Sequence, residues 1–248
     1  MTSTSINKHT SDFLIENKVN VPKEFNRIAA RYDFATSMSQ GYQQDLHTSA
    51  RRMNLQGNEH VLDLCCGTGK STLACLNVLP EGKITGVDNS EEMLAVAEKK
   101  FSEEVASGKA AFILKDAMNL DFADNSFDAI FMAYGLRNMP DYEACVQGLY
   151  RILKPGGTLC IHDYSLADTW YARPYWKILG YGFIIPISTL LTGSSTIFSY
   201  LIKSVLNFLT PGQAKELLEK NGFTEVKALP LGGWRAPIQH TILAKKPL

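Results

Sequence analysis

The sequence predicts an α/β fold, a parallel sheet wrapped by helices with two further strands at one edge. Three observations carry this expectation. From residue 58 short apolar runs alternate with segments of helical period. The first run, HVLDL, ends in the glycine-bearing turn CCGTG, as a buried strand feeding a helix does. After Gly222 two strand-like runs close the chain.

Taken in order, His60–Leu64 reads as the first strand and 71–79 as the first helix of the alternation. Residues 83–87 form the next strand and lead into Asp88-Asn89-Ser90. Asn89 or Ser90 then caps a helix whose inner face carries Met93, Leu94 and Ala97. Residues 111–114 and Phe127–Ala133 supply a third and a fourth strand, and 142–153 is helical. Pro155-Gly156-Gly157 reads as a tight turn into a fifth strand at 158–162. The tail adds a helix over 211–221 and strands at 225–229 and 238–244, able to pair antiparallel.

Outside this alternation, the polar residues 1–22 read as a flexible arm, and 23–248 as one domain. Within it, 23–55 reads as helices over the ligand site and 166–209 as a substrate-side helical lid insertion. The stretch WKILGYGFIIPISTLL is the most apolar part. It falls short of the about 20 apolar residues a spanning helix needs, and Gly180, Gly182 and Pro186 interrupt it.

Composition excludes several classes. Lys and Arg number 25 and so do Asp and Glu, with no block of like charge, which argues against a nucleic-acid partner. The five cysteines are odd in number and form no CxxC pair, so free thiols in a reducing compartment are expected. No metal is expected, since His9, His47, His60 and His240 show no ligand spacing. The N-terminus lacks the apolar core of a secretory signal, which favours a cytoplasmic protein.

The stretch VLDLCCGTGKST invites a phosphate-loop reading, but the first glycine of that motif would fall at Leu64. A dinucleotide fingerprint fits Gly67 and Gly69 and fails at Thr72. Asp63 would also repel a pyrophosphate. A ligand with a positive group fits better: Asp63 accepts from an ammonium, the glycines admit the ligand, and Asp88 accepts both hydroxyls of a ribose. S-adenosylmethionine combines an amino-acid end with a ribose. Asp116 could accept the adenine amine, with the small Ala117 leaving room for the ring. Alternatively, Asp63 merely caps a turn and Asp88 a helix.

With these residues placed, the chain resembles a class I S-adenosylmethionine-dependent methyltransferase. More narrowly, it is similar to the ubiquinone/menaquinone biosynthesis C-methyltransferase family. The resemblance spans roughly residues 25–226 and rests on FNRIAARYD, VLDLCCGTG, GVDNSEEML, DAMNLDFADNSFD, YGLRNMPD and LYRILKPGG. It implies a Rossmann-like seven-stranded sheet with a reversed last strand and helices on both faces. It also implies a cofactor-binding set of Asp63, Gly67, Gly69, Thr72, Asp88, Asn89, Asp116, Ala117 and Ala133. The chain departs from the family at His162-Asp163-Tyr164-Ser165, where Leu-Glu-Phe-Ser is usual, and in the segment GGWRAPIQH.

The implied acceptor is a small apolar aromatic, a prenylated quinol precursor. Candidate catalytic residues are Arg137, Asn138, Tyr32 and His162. Arg137 stays protonated and would stabilise a developing phenolate or orient a water, and Asn138 would hold that oxygen or water. The alternative for Arg137 is a salt bridge to Asp141. Tyr32 either approaches the methyl or packs beside Phe25 and Ile28. His162 is either a general base or a hydrogen-bonded core residue. Tyr171, Tyr175, Trp176, Ile178, Phe183, Ile184, Ile185 and Leu190 would wall an apolar tunnel. A helical hairpin that closes the domain, a homodimer face and peripheral contact with the inner face of a membrane fit that apolar segment as well. Methylation of another small molecule at oxygen or nitrogen, or a non-transfer reaction on the same fold, fits the scaffold too.

Overall fold

Burial follows from side-chain alternation along the strands. In Phe127–Ala133 the residues Ile130 and Met132 turn to one face of the sheet and Ala129, Phe131 and Ala133 to the other. Each fully buried side chain of this size is worth about 1.5–3 kcal/mol relative to exposure. The computed structural model describes residues 40–192 and 196–248.

The strands are β1 (His60–Leu64), β2 (Lys83–Asp88), β3 (Ala110–Leu114), β4 (Phe127–Ala133), β5 (Leu153–Tyr164), β6 (Thr224–Pro230) and β7 (Gln239–Lys245). They form one sheet in the order β3-β2-β1-β4-β5-β7-β6. The pairs from β3 through β5 are parallel, and β7 runs antiparallel to both β5 and β6. This is the seven-stranded sheet with a reversed last strand that the sequence predicts. The order reverses between β1 and β4, so the crevice expected for a ligand lies above their carboxyl ends. The expected turn at 155–157 falls within β5 as an irregularity: β4 pairs through Phe127 with Leu153 and through Ala129 with Thr158, and between them Gly156, at φ 76°, donates its N–H to Lys246 O at 2.8 Å.

Helices α1 (Gln40–Arg52), α2 (Lys70–Leu76), α3 (Glu91–Lys100), α4 (Ser102–Ala106), α5 (Tyr142–Ile152), α6 (Ala172–Leu179), α7 (Ile185–Thr192), α8 (Thr196–Leu206) and α9 (Pro211–Lys220) surround it. Their starts are chemically encoded. Ser90 Oγ accepts from Met93 N at 3.1 Å, and Asp141 accepts from Ala144 N at 3.0 Å. Thr210 and Gln213 form a capping box behind Pro211. One core packs Leu62, Ile130, Met132 and Leu159 against α5 and α9, and a second packs Val61, Phe131 and Cys160 against α1 and α2. A third joins α6 and α8 through Trp176, Ile202 and Val205. The π-helical turn Gly180–Ile184 links α6 to α7.

Among the described residues no helix is long and apolar enough to cross a membrane, and no group of three or more His, Cys, Asp or Glu could hold a metal. All five cysteines are free. Tyr32 and the expected arm at 1–22 lie outside the described residues.

Candidate active site

Two non-glycine residues with left-handed backbone stand at the ends of neighbouring strands. Cys65, after β1, has φ 62°, and Tyr134, after β4, has φ 55°. Such conformations persist where the surrounding structure enforces them, often at functional sites. Here they turn the chain sharply out of the sheet at the two strands flanking the crevice.

The glycines of the first loop have different duties. A Cβ on Gly67 (φ 54°) would meet nothing within 4 Å, so this peptide faces open space. A Cβ on Gly69 (φ 81°) would fall 2.4 Å from Phe101 Cε2. Packing and helix entry, rather than room for a ligand, therefore require glycine at 69. Asp88, half-buried at the end of β2, holds the loop: Gly67 N donates to its Oδ2 at 2.8 Å and Ser90 N to its Oδ1 at 3.0 Å. Burial raises its pKa, opposed by these backbone donors.

Asp63 lies behind the loop rather than on its open wall. It is fully buried, and Ser71 Oγ and Thr72 Oγ1 donate to its Oδ2 at 2.8 and 2.6 Å. Its Oδ1 is buried without a hydrogen-bond partner. Burial raises its pKa from 3.8 to about 7, with the two hydroxyls opposing and Asp88 adding to the rise. A buried, half-satisfied carboxylate favours a nearby cation. Asn89 is exposed beside Asp88. Asp116 is exposed and accepts from Met118 N at 2.9 Å, which shapes the turn that buries Ala117. Ala133 is buried at the end of β4. An orphaned carboxylate oxygen, an open glycine and a half-buried carboxylate at adjacent strand ends fit the cationic amino-acid end and the ribose of S-adenosylmethionine.

Beyond the end of β4, Arg137 is buried and its partner is Asp163 of β5, not Asp141, which is occupied as the α5 cap. Its Nη1 donates to Ser204 Oγ of α8 and reaches Asn138 Oδ1 at 3.4 Å. Asn138 also accepts from Tyr200 Oη of α8 at 3.0 Å and donates to Tyr134 O at 3.0 Å. Both candidates are thus tied to α8. Ser204 and Tyr200 were not singled out from the sequence, and Asp163 only as a departure from the family pattern. The available signal was Asp163 itself, a carboxylate in a buried strand that requires a partner.

His162 is fully buried on the opposite face of β5. Its Nδ1 lies 2.7 Å from Ser49 Oγ, and its Nε2 lies 2.9 Å from both Tyr134 Oη and Gln239 Nε2. Burial, reinforced by Arg52, lowers its pKa to about 3. The ring is neutral at physiological pH and both of its nitrogens lie within hydrogen-bond reach of neighbours. Ser49 continues to Thr241, which accepts from Arg52. This chain fastens α1 to the sheet, where Tyr42 stacks on Tyr134 with ring centroids 5.2 Å apart.

The expected tunnel wall separates into three groups. Trp176 is buried, and Tyr175, Ile184 and Ile185 are half-buried. Tyr171, Ile178, Phe183 and Leu190 are exposed, since α6 and α7 turn only part of their apolar surface inward. A separate cleft of about 280 Å³ runs between Leu166–Thr169 and Phe208–Thr210, and none of the candidate residues lines it.

Residues 13–241 match the model of the ubiE/COQ5 methyltransferase family. The chain belongs to that family. It is 34% identical to the demethylmenaquinone methyltransferase of Geobacillus kaustophilus, over 85% of this chain and 91% of that one. It is also 34% identical to the protein of the same name from Lactococcus lactis, over 93% and 92% of the two chains. Among solved structures, the [4+2]-cyclase SpnF shares the fold with a TM-score of 0.68 and 18% identity, covering 92% of this chain and 95% of that one. A SAM-dependent methyltransferase of Thermotoga maritima does so with a TM-score of 0.63 and 20% identity, over 90% and 97%. These structural likenesses show the fold alone. As a ubiE/COQ5 family member the protein is a methyltransferase, which favours transfer over the non-transfer alternative.

Proposed function

We propose that this methyltransferase uses S-adenosylmethionine to methylate a ring carbon of a prenylated quinol precursor. The carrying observation is the pair Asp63 and Asp88 on neighbouring strands, Asp63 with a buried unpartnered oxygen behind the loop and Asp88 holding the open peptide at Gly67. The acceptor class is supported by relatives named demethylmenaquinone methyltransferase that match over most of the chain.

Bound S-adenosylmethionine supplies a methyl group on a sulfonium, already activated for in-line attack. The protein's part is positioning and electrostatics. In this reading Asp63 Oδ1 receives the ammonium end, and the Asp88 carboxylate keeps acceptor capacity for the ribose beyond its two backbone donors. Asp116 and Ala117 border the adenine. Arg137, paired with Asp163 and buried beside the end of β4, stabilises the acceptor's developing phenolate. Asn138, held by Arg137, Tyr200 and Tyr134 O, fixes the geometry there. His162 acts through Tyr134 and α1 and accepts no proton from the substrate. The segment α6–α8 serves as the acceptor-side lid, and the lipid acceptor places the enzyme at a membrane surface.

S-adenosylmethionine should raise the unfolding temperature in a concentration-dependent way, and Asp88→Ala should abolish that shift. Labelled cofactor with an extract containing demethyl-quinols should yield a labelled lipid. Label in a polar product alone would overturn the acceptor assignment.

A further inference from the structure

The segment between β5 and α9 differs in charge from the rest of the chain. Past Asp168 it carries Arg173, Lys177 and Lys203 and no Asp or Glu, in a sequence whose 25 basic and 25 acidic residues cancel. No charged residue of either sign occurs between Lys177 and Lys203. The middle of the segment is therefore apolar and its flanks are cationic.

Burial divides the same segment. Its root is anchored: Ala172 and Trp176 are buried, and Trp176 Nε1 donates to Ile202 O at 3.2 Å. Gly180 packs so closely on α8 that a Cβ there would lie 2.5 Å from Ile202 Cδ1. Past Gly180, up to Leu190, the described residues are largely exposed. Tyr181, Phe183 and Ile187 are 50%, 56% and 53% exposed, and Leu190 is 87% exposed. Ile184 and Ile185 are only half-buried. A helix this apolar and this exposed requires a covering phase. At the segment's start stand Trp170, 88% exposed, and Tyr171, both of a type enriched at membrane–water interfaces.

We propose that α7 and the π-helical turn before it insert into the surface of an anionic lipid bilayer. The anchored root holds the apolar tip outward, and the exposed Arg173 and Lys177 on α6 match lipid phosphates. Among the described residues no helix can cross a membrane, so the segment lies in the interface. A second copy of the chain would bring the same cations face to face, whereas a bilayer supplies the opposite charge. This inference rests on the quinol reading only for its use, which is delivery of a tail-bearing acceptor from the lipid to the ends of β4 and β5.

The test is co-sedimentation of the full chain with phosphatidylcholine vesicles, with and without phosphatidylglycerol. Binding to the anionic vesicles should be at least about tenfold tighter than to the neutral ones and should weaken as salt rises. The double variant Tyr181→Glu/Ile187→Glu should lose that binding while keeping the wild-type thermal shift with S-adenosylmethionine. Equal binding to both vesicles, unchanged binding by the variant, or a dimer that ignores vesicles and dissociates in the variant would each overturn the proposal. No acceptor is needed in the measurement. Failure to methylate quinols leaves vesicle binding intact as a result, and failure to bind vesicles leaves methylation in solution intact.

Discussion

Arg137 and Asp163 meet across the ends of β4 and β5, Nε 3.2 Å from Oδ1, with side chains only 6% and 1% exposed. The backbone N–H of Arg137 reaches the second carboxylate oxygen at 3.3 Å, so the pair clamps the turn after β4 against β5. Breaking such a pair from one side leaves a buried charge without its partner, at a cost of about 3–5 kcal/mol. Asp163→Asn should destabilise the protein by that order in urea unfolding. Arg137→Lys keeps the charge but loses the fork that reaches Ser204 and Asn138. Its kcat should fall by roughly 10²-fold, as slight misplacement at a reacting centre allows, with cofactor affinity unchanged.

Tyr200 donates to Asn138 Oδ1 from α8. Tyr200→Phe removes one hydrogen bond, worth about 1 kcal/mol in stability. The expected kinetic effect is a lower kcat with an unchanged KM for S-adenosylmethionine, as the proposed acceptor-side place of α8 requires. A variant that raised the KM for S-adenosylmethionine alone would place α8 on the cofactor side instead.

The two loop glycines should separate stability from binding. Gly69→Ala would drive a Cβ into Phe101 at a left-handed position and should lower stability sharply. Gly67→Ala meets no atom within 4 Å and suffers backbone strain of only about 1 kcal/mol. It should unfold close to the wild-type midpoint yet bind the cofactor more weakly. Paired denaturation and cofactor titration of the two variants checks this.

Asp63 and His162 push stability in opposite directions with pH. With Asp63 raised from 3.8 to about 7, the native form holds a proton that the unfolded chain has released, so this group's contribution falls as pH rises through that window. With His162 lowered from 6.5 to about 3, the unfolded chain takes a proton that the native form refuses, so its contribution is lost as pH falls through that window. Each slope reaches at most about 1.4 kcal/mol per pH unit. Between roughly pH 4.5 and 6.5 the two oppose each other in the wild type. Relative to wild type, Asp63→Asn should tilt stability upward with rising pH, and His162→Gln should tilt it downward. Urea midpoints across that range give both slopes.

Much of the sheet was legible because its signals are local. HVLDL, the run before Asp88 and Phe127–Ala133 are apolar strands closed by turn residues, and the cap Ser90 announces the helix that follows it. What stayed hidden depends on partners remote in sequence. Arg137 lies four residues from Asp141 in sequence, yet β4–β5 pairing brings it to Asp163 instead. His162 read as either a base or a hydrogen-bonded core residue, because Ser49 and Gln239, which lie against its ring nitrogens, come from α1 and β7. Asp63 was recognised as a candidate, but its place behind the loop depends on Ser71 and Thr72 turning back from α2. The apolar run after Trp170 was plain to read, whereas which of its residues face inward depends on how closely Gly180 approaches Ile202.

Methyl transfer to carbon is most directly tested with S-adenosylmethionine carrying a ¹³C methyl group and a purified demethyl-quinol. After incubation, the bonding of the labelled carbon is read by NMR. The expected product carries the label on a ring carbon, and Asp88→Ala yields none of it. Label on a ring oxygen, or no transfer by a protein that demonstrably binds both molecules, would contradict the assignment.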